Sequence, residues 1–181
     1  LFLPIKGERF DAHDFIGKAI ENGAAAVMSH RENEEYPVPA LYVENTSQAL
    51  LDLAGGYRMM CGGKVVGVTG SVGKTTTKEM IASVVSQRYR TLKTAENFNN
   101  DIGVSHTLMG LRFRHRAAVV EAGMNHRGEM AVLADMIRPT VAVLTNAQRE
   151  HQEFLDGVEA SARENGMAIV SLSGKGTAVL P

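Results

Sequence analysis

Apolar residues recur along this chain with two periods. From Lys64 onward, short apolar runs alternate with stretches whose apolar positions return every three or four residues. In order these are KVVGVT, TTKEMIASVVSQR, YRTLKT, GVSHTLMGL, RAAVVEAG, GEMAVLADMIR, TVAVLTNA, GVEASARENGMAIV and GTAVLP. The short runs read as buried strands and the repeating stretches as amphipathic helices. Strict alternation predicts an α/β fold with a parallel sheet covered on both faces, because parallel neighbours need a crossover and each crossover here is helical. Ligands of such sheets bind beyond the carboxyl ends of the strands.

The first sixty residues have a different rhythm. Asp11 is placed to cap AHDFIGKAIENG, whose Phe15, Ile16, Ala19 and Ile20 share one helical face, and Gly23 supplies the stop. AAAVMSH and ALYVEN read as short strands, and TSQALLDLAGGYR as a helix capped by Thr46 or Ser47. Gly55, Gly56, Gly62 and Gly63 suggest a linker. The expected organisation is a smaller α/β domain over residues 1–62 and a larger parallel-sheet domain over 63–181. The abrupt start on LFLPIKGERF and the stop on a strand, GTAVLP, suggest that both domains are partial.

Composition narrows the function classes. With 44% hydrophobic and 22% charged residues the chain can build a core, so wholesale disorder is excluded. A net charge of -1 provides no overall basic field for nucleic acid and predicts no polycationic face for a membrane. Cys61 is the only cysteine, which excludes an internal disulfide and a thiolate metal site, and fits a reducing cytoplasm. No apolar run approaches the roughly 20 residues of a membrane helix, and no secretory signal is visible.

The candidate chemistry centres on GVTGSVGKTTTKEM, residues 67–80. Glycines at 70 and 73 let a turn aim its amide hydrogens at one point, and the helix that follows directs its positive end there too. Lys74 is suited to neutralise β and γ phosphates, and Thr75 to offer its hydroxyl to a magnesium ion between them. Gly70, Ser71, Val72, Gly73, Lys74, Thr75 and Thr76 are therefore the candidate nucleotide-binding residues. The alternative is a plain strand-to-helix turn with an exposed lysine. In the usual G-x-x-x-x-G-K-[ST] pattern the first glycine would stand at 68, where this chain has Val68.

Other residues gather at the same predicted edge. Glu121 ends a strand, a position from which a carboxylate reaches a metal or its water, although a solvent-facing glutamate at a strand end is an equal alternative on the residue alone. Buried there, it needs a cationic partner. Asn146 closes a further strand, and His151 lies in the loop after it, where a neutral imidazole can ligate a second divalent cation. A lone loop histidine is more often an idle surface residue, an alternative that stays open for His151 as it does for His106, His115 and His126. In TAENFNNDIGVSHT, Asn97, Asn99 and Asn100 can grip a polar substrate, although asparagine is equally common in turns.

Together these segments resemble the Mur ligase family. Thr69 to Thr75 match its short T-G-[ST]-x-G-K-[ST] phosphate loop, which accounts for Val68. TTTKEM, ENFNNDIGVSHTL, VVEAGMNHRGEM and TNAQREHQEF resemble successive family segments in order, and LFLPIKGERFDAHDFI resembles the uridine-nucleotide domain. The details of ENFNNDIG and GERFDAHDF are most similar to the members that add a dipeptide.

The resemblance implies an ATP-dependent ligase that phosphorylates the carboxylate of a UDP-N-acetylmuramoyl tripeptide and couples it to the amine of D-alanyl-D-alanine in peptidoglycan synthesis. It implies catalytic roles for Lys74, Glu121 and His151, magnesium ligation by Thr75, Glu121 and His151, and substrate contacts by Lys6, Asp11, His13 and Asp14. It further implies a cytoplasmic monomer with neither nucleic acid nor membrane insertion. Many Mur ligases carry a carbamylated lysine, bridging the metals, in the helix after the histidine; ASARENG places Asn165 there. Either the second metal is held differently or the match is displaced. Rival readings are a related amino-acid or folylpolyglutamate-type ligase, a nucleotide switch, for which TNAQRE lacks the N-K-x-D base-reading motif, and an inactive nucleotide-binding fragment.

Overall fold

The computed structural model describes residues 1–7, 9–148, 157–172 and 176–181. It divides into two compact units, Leu1–Leu53 and Ala54–Pro181. In the first, Asp11 accepts a hydrogen bond from the His13 amide and caps a 3-10 turn, Ala12–Phe15, that runs into helix α1, Ile16–Glu21. Gly23 ends the helix in a left-handed conformation, φ 93°, as its position in the sequence predicts. Strands β1 (Val27–Ser29) and β2 (Ala40–Tyr42) pair in parallel, and Phe2 bridges to Val27.

Helix α2 (Thr46–Met60) crosses the boundary between the units. Its first turn is capped by Asn45, whose Oδ1 accepts from the amides of Ser47 and Gln48, rather than by Thr46 or Ser47. Gly55 and Gly56 lie inside the helix. Gly62 and Gly63 lie in the short connection, residues 61–63, between α2 and the next strand. The units divide earlier than the sequence-based 62/63 boundary because the last turns of α2 are bonded into the second unit. Tyr57 donates to the Leu111 carbonyl, and Arg58 to the carbonyls of Ile137, Cys61 and Arg138.

The second unit is the expected alternation: β3 (Lys64–Thr69), α3 (Lys74–Ser86), β4 (Thr91–Lys93), α4 (Asp101–Met109), β5 (Ala117–Glu121), α5 (Glu129–Ile137), β6 (Val141–Leu144), α6 (Gly157–Val170) and β7 (Thr177–Val179). The strands form one parallel sheet in the order β4-β5-β3-β6-β7. β5 is buried along its whole length, as its unbroken apolar run requires in a sheet covered on both faces. Val68 and Val119 pack with Ala82 of α3, flanked by Val66, Ile81 and Val143. Burial of such side chains contributes roughly 1.5–3 kcal/mol each, which fixes the strand ends that carry the site.

Candidate functional site

The register sets Glu121 beside Val68 and Leu144 beside Thr69, so the carboxyl ends of β5, β3 and β6 open on one edge. The chain leaves β3 through Gly70 to Gly73. Gly70 has φ 126°, and a Cβ there would run into the Thr145 hydroxyl and come within 2.8 Å of the Asn146 carbonyl oxygen. Only glycine fits both the dihedral and the space.

This loop is clasped from two sides. The Asn146 carbonyl accepts from Ser71 N at 3.1 Å, its Oδ1 accepts from Val72 N at 3.1 Å, and its Nδ2 donates to the Val72 carbonyl at 2.8 Å. On the other side Asn165 of α6, 1% exposed, accepts at Oδ1 from Thr69 Oγ1 at 2.6 Å and Gly70 N at 3.0 Å. Its Nδ2 donates to the Ser161 carbonyl at 3.0 Å. The amides of Gly70, Ser71 and Val72 are thus committed to the protein and shape the loop. The donors remaining for a ligand are at the start of α3, where the N-cap Gly73 provides no side-chain bond and the first amides have no intrahelical acceptor. Lys74 Nζ lies on the loop, donating to the Gly70 carbonyl at 2.7 Å and reaching the Ser71 carbonyl at 3.4 Å.

Glu121 is buried, 1% exposed, at the end of β5. Its Oε1 accepts from Thr75 Oγ1 at 3.2 Å and Asn99 Nδ2 at 2.9 Å. Its backbone N–H donates to Thr94 Oγ1 at 3.0 Å. The cationic partner that burial demands is Lys78. Its Nζ stands 3.5 Å from Glu121 Oε2, an ion pair that lacks hydrogen-bond geometry and leaves Oε2 without a hydrogen-bond partner. Lys78 also donates to the Glu96 carbonyl at 2.6 Å and lies 3.3 Å from Glu79 Oε1. Glu96 is one of two non-glycine residues with left-handed backbone among the described residues, φ 46°, a strained conformation at the site's rim.

Thr75 Oγ1 and Glu121 Oε1 are hard oxygen donors separated by 3.2 Å. Adjacent ligands of an octahedral Mg2+ ion with bonds of about 2.1 Å stand about 3 Å apart. With Oε2 as a further buried acceptor, this donor set fits magnesium.

The structure therefore unites the phosphate loop, Lys74, Thr75, Asn99 and Glu121 at one sheet edge. Asn100 instead caps α4 through Gly103 N at 2.9 Å, and among the described residues exposed Asn97 gives only its carbonyl, to Asn99 N. Thr76 is exposed on the first turn of α3. His151 lies outside the described residues. Sequence reasoning overlooked Lys78, although it stands one helical turn after Thr75 on the same face. The brace provided by α6 was also missed. Besides Asn165, its Glu164 Oε1 accepts from Gly128 N at 2.8 Å and Met130 N at 3.1 Å, so one turn of α6 steadies two loops of the site.

In the first unit, exposed Lys6 bridges to Asp11 in the backbone pattern. His13 is 2% exposed and its Nδ1 lies 2.6 Å from Asp11 Oδ1. Arg31 pairs with Asp11 at 3.1 Å and Asp14 at 2.7 Å. The His13 amide hydrogen bond, together with the His13 ring and Arg31, holds the Asp11 carboxyl well below the usual carboxylate range despite opposing desolvation. Asp11, His13 and His30 approach within 4.8 Å of one another, with Arg31 paired to Asp11 and His30 meeting the His13 ring edge to face at 4.0 Å between centroids.

Comparison with known proteins agrees with this geometry. The Mur ligase middle domain matches residues 68–181, more than half the chain, and the Mur ligase family catalytic domain matches residues 1–58. UDP-N-acetylmuramoyl-tripeptide--D-alanyl-D-alanine ligase of Synechocystis is 42% identical over 99% of the chain, and the Escherichia coli enzyme of the same name 41% over 99%. The chain spans 40% of the length of each. MurF from Acinetobacter baumannii superposes with a TM-score of 0.95 at 37% identity, over 99% of this chain and 40% of that one. MurF ligase from Thermotoga maritima in complex with ADP gives 0.90 at 33%, over 98% and 41%. With the short phosphate loop, the buried strand-end carboxylate and both domain matches in one chain, the protein belongs to the Mur ligase family.

Proposed function

We propose that this chain forms the substrate-binding and ATP-binding portions of a cytoplasmic, monomeric ligase that joins D-alanyl-D-alanine to UDP-N-acetylmuramoyl tripeptide in peptidoglycan synthesis. The first unit, Leu1–Leu53, serves the uridine nucleotide, with Lys6, Asp11, His13 and Asp14 on that side, and the second, Ala54–Pro181, serves ATP. The observation that carries the reading is the meeting of Thr75 and Glu121 at 3.2 Å beside a helix start with no side-chain cap and Lys74. The names of the relatives support the particular substrates.

The start of α3 and Lys74 receive the β and γ phosphates of ATP, while the loop formed by Gly70, Ser71, Val72 and Gly73 fixes where they lie. Thr75 and Glu121 would hold Mg2+, with His151 as a further ligand; bound there, the ion supplies positive charge to the phosphate oxygens. Lys74 counters the negative charge that spreads over the transferring phosphoryl group. That group passes to the tripeptide carboxylate, giving an acyl phosphate and ADP. The D-alanyl-D-alanine amine attacks the acyl carbon, the tetrahedral intermediate collapses with loss of inorganic phosphate, and the amine proton leaves to solvent as the amide forms. Asn99 orients Glu121, while Asn97 and Asn100 shape the loop before α4, Asn100 by capping that helix.

The test is phosphate release by the intact gene product. We expect release that requires ATP, UDP-N-acetylmuramoyl tripeptide and D-alanyl-D-alanine together. Release supported by glutamate or by a single amino acid in place of the dipeptide would assign a different Mur-type or folylpolyglutamate-type ligase.

A further inference from the structure

The edge of the sheet opposite the phosphate loop has a chemistry of its own. Strands β4, β5 and β3 are neighbours, with Thr91 and Lys64 both in register with Ala117. Each is entered through a cation: Arg90 before β4, Arg116 before β5, and Lys64 at the first position of β3. Backbone bonds lock the row, from Arg116 N to the Arg90 carbonyl at 2.9 Å and from Lys64 N to the Arg116 carbonyl at 3.1 Å. Arg88, Arg112 and Arg114 extend it, so six of the chain's 19 lysines and arginines stand exposed along this edge. The segments 84–92 and 110–117 that carry five of them contain no aspartate or glutamate. None of the six joins any ion pair found among the described residues.

Aromatic side chains are interleaved with these cations. Phe113, between Arg112 and Arg114, is 74% exposed, and Tyr89, between Arg88 and Arg90, is 45% exposed. Both border a cavity of about 710 Å³ whose wall includes Val66, Val85 and Ala117. His115 sits in the same wall, and its imidazole is held below its ordinary range by burial and by Arg114, Arg90 and Arg112, an independent sign that the guanidinium charges converge.

We propose that this edge is a docking surface for an anionic phospholipid membrane, bound peripherally. Cations on three adjacent strand starts face the negative headgroup layer, and Phe113 and Tyr89 enter the headgroup region as apolar bodies flanked by charge. The row spans three strand starts, about 10 Å at 4.8 Å per strand. That is short for a groove tracking several nucleotides, and its apolar wall is a cavity rather than a stacking platform. The overall charge of -1 conceals this face because the fold, not the composition, collects the cations. Docking here turns the phosphate loop away from the bilayer and leaves it open to solution.

The experiment is co-sedimentation of the intact gene product with vesicles of phosphatidylcholine alone and of phosphatidylcholine containing phosphatidylglycerol. We expect binding only to the second, weakening as salt is raised. Replacing Arg88, Arg90 and Arg114 by glutamine should lower affinity about a hundredfold, at roughly fivefold per cation. Phe113→Ser, which leaves the charge unchanged, should lower it at least about fivefold. Phosphate release without vesicles should stay at the wild-type rate in both variants, which also reports that they fold. Equal binding to both vesicle types, no binding to either, or undiminished binding by both variants would overturn the proposal. So would displacement from the vesicles by a short RNA or DNA at lower concentration than by micelles of short-chain phosphatidylglycerol, which would assign the face to nucleic acid.

Discussion

Lys78 offers the most searching test of how the site is built. Its ammonium is fully buried, 3.5 Å from the buried carboxylate of Glu121 and 2.6 Å from the carbonyl of the strained Glu96. Lys78→Met keeps an unbranched apolar stem as far as Cε and removes the ammonium with its charge and donors. Breaking a buried pair from one side costs about 3–5 kcal/mol. Thr75 and Asn99 still donate to Glu121 Oε1 and soften that loss, while the stranded Glu96 carbonyl adds about 1–3 kcal/mol. The expected net loss is therefore about 3–5 kcal/mol. Urea denaturation followed by circular dichroism reads it as a lower midpoint with an unchanged slope. Adding Glu121→Gln removes the uncompensated charge, so the double variant should recover at least about 1 kcal/mol relative to the sum of the singles. A loss under about 1 kcal/mol for Lys78→Met, or strict additivity in the double variant, would refute the reasoning.

Three further outcomes follow from the same contacts. Gly70→Ala places a methyl against the Thr145 hydroxyl on a left-handed backbone; nucleotide affinity measured by calorimetry should fall at least about tenfold, and unchanged affinity would show that the clasp yields. Asn165→Ala strands the buried Thr69 hydroxyl and Gly70 amide, so stability should drop by about 2–4 kcal/mol, and ADP affinity should fall while the Mg2+ concentration needed for half-maximal binding stays fixed. A shifted Mg2+ requirement would mean that Asn165 ligates the ion rather than bracing the loop. For Asp11, the folded carboxyl titrates below its unfolded value of about 3.9, so its stabilisation is complete above about pH 4 and is lost as pH falls toward the folded value. The melting-temperature difference between wild type and Asp11→Asn should therefore shrink below about pH 4, and a difference independent of pH would refute the assignment.

Alternation of period made the second unit legible almost element by element, because buried parallel strands and amphipathic helices leave unmistakable patterns. The first unit was harder. Asn45 outcompeted Thr46 and Ser47 as a cap since its longer side chain reaches two amides, a choice that letters alone do not decide. Glycines misled in both directions: Gly55 and Gly56 sit within α2 despite their modest helix propensity, whereas Gly70 was demanded by a crowded, left-handed turn. The meeting of Thr75 and Glu121 at one edge was foreseeable because each lies at the carboxyl end of the sheet. Their partnership with Lys78, the grip of Asn165 and the cationic strand starts depend on which strands become neighbours. The order β4-β5-β3-β6-β7 is not written in any single segment.

The double clasp by Asn146 and Asn165 bears on how tightly and how quickly a nucleotide can settle. Freezing a mobile backbone removes roughly 1–2 kcal/mol per residue from binding, and at Gly70, Ser71 and Val72 that ordering has been accomplished by folding itself. The cradle is preorganised, so interaction energy with the phosphates goes into affinity instead of into immobilising the chain. Hydrogen exchange at these three amides should accordingly be slow in the free protein and change little when ADP arrives, while the start of α3 gains protection.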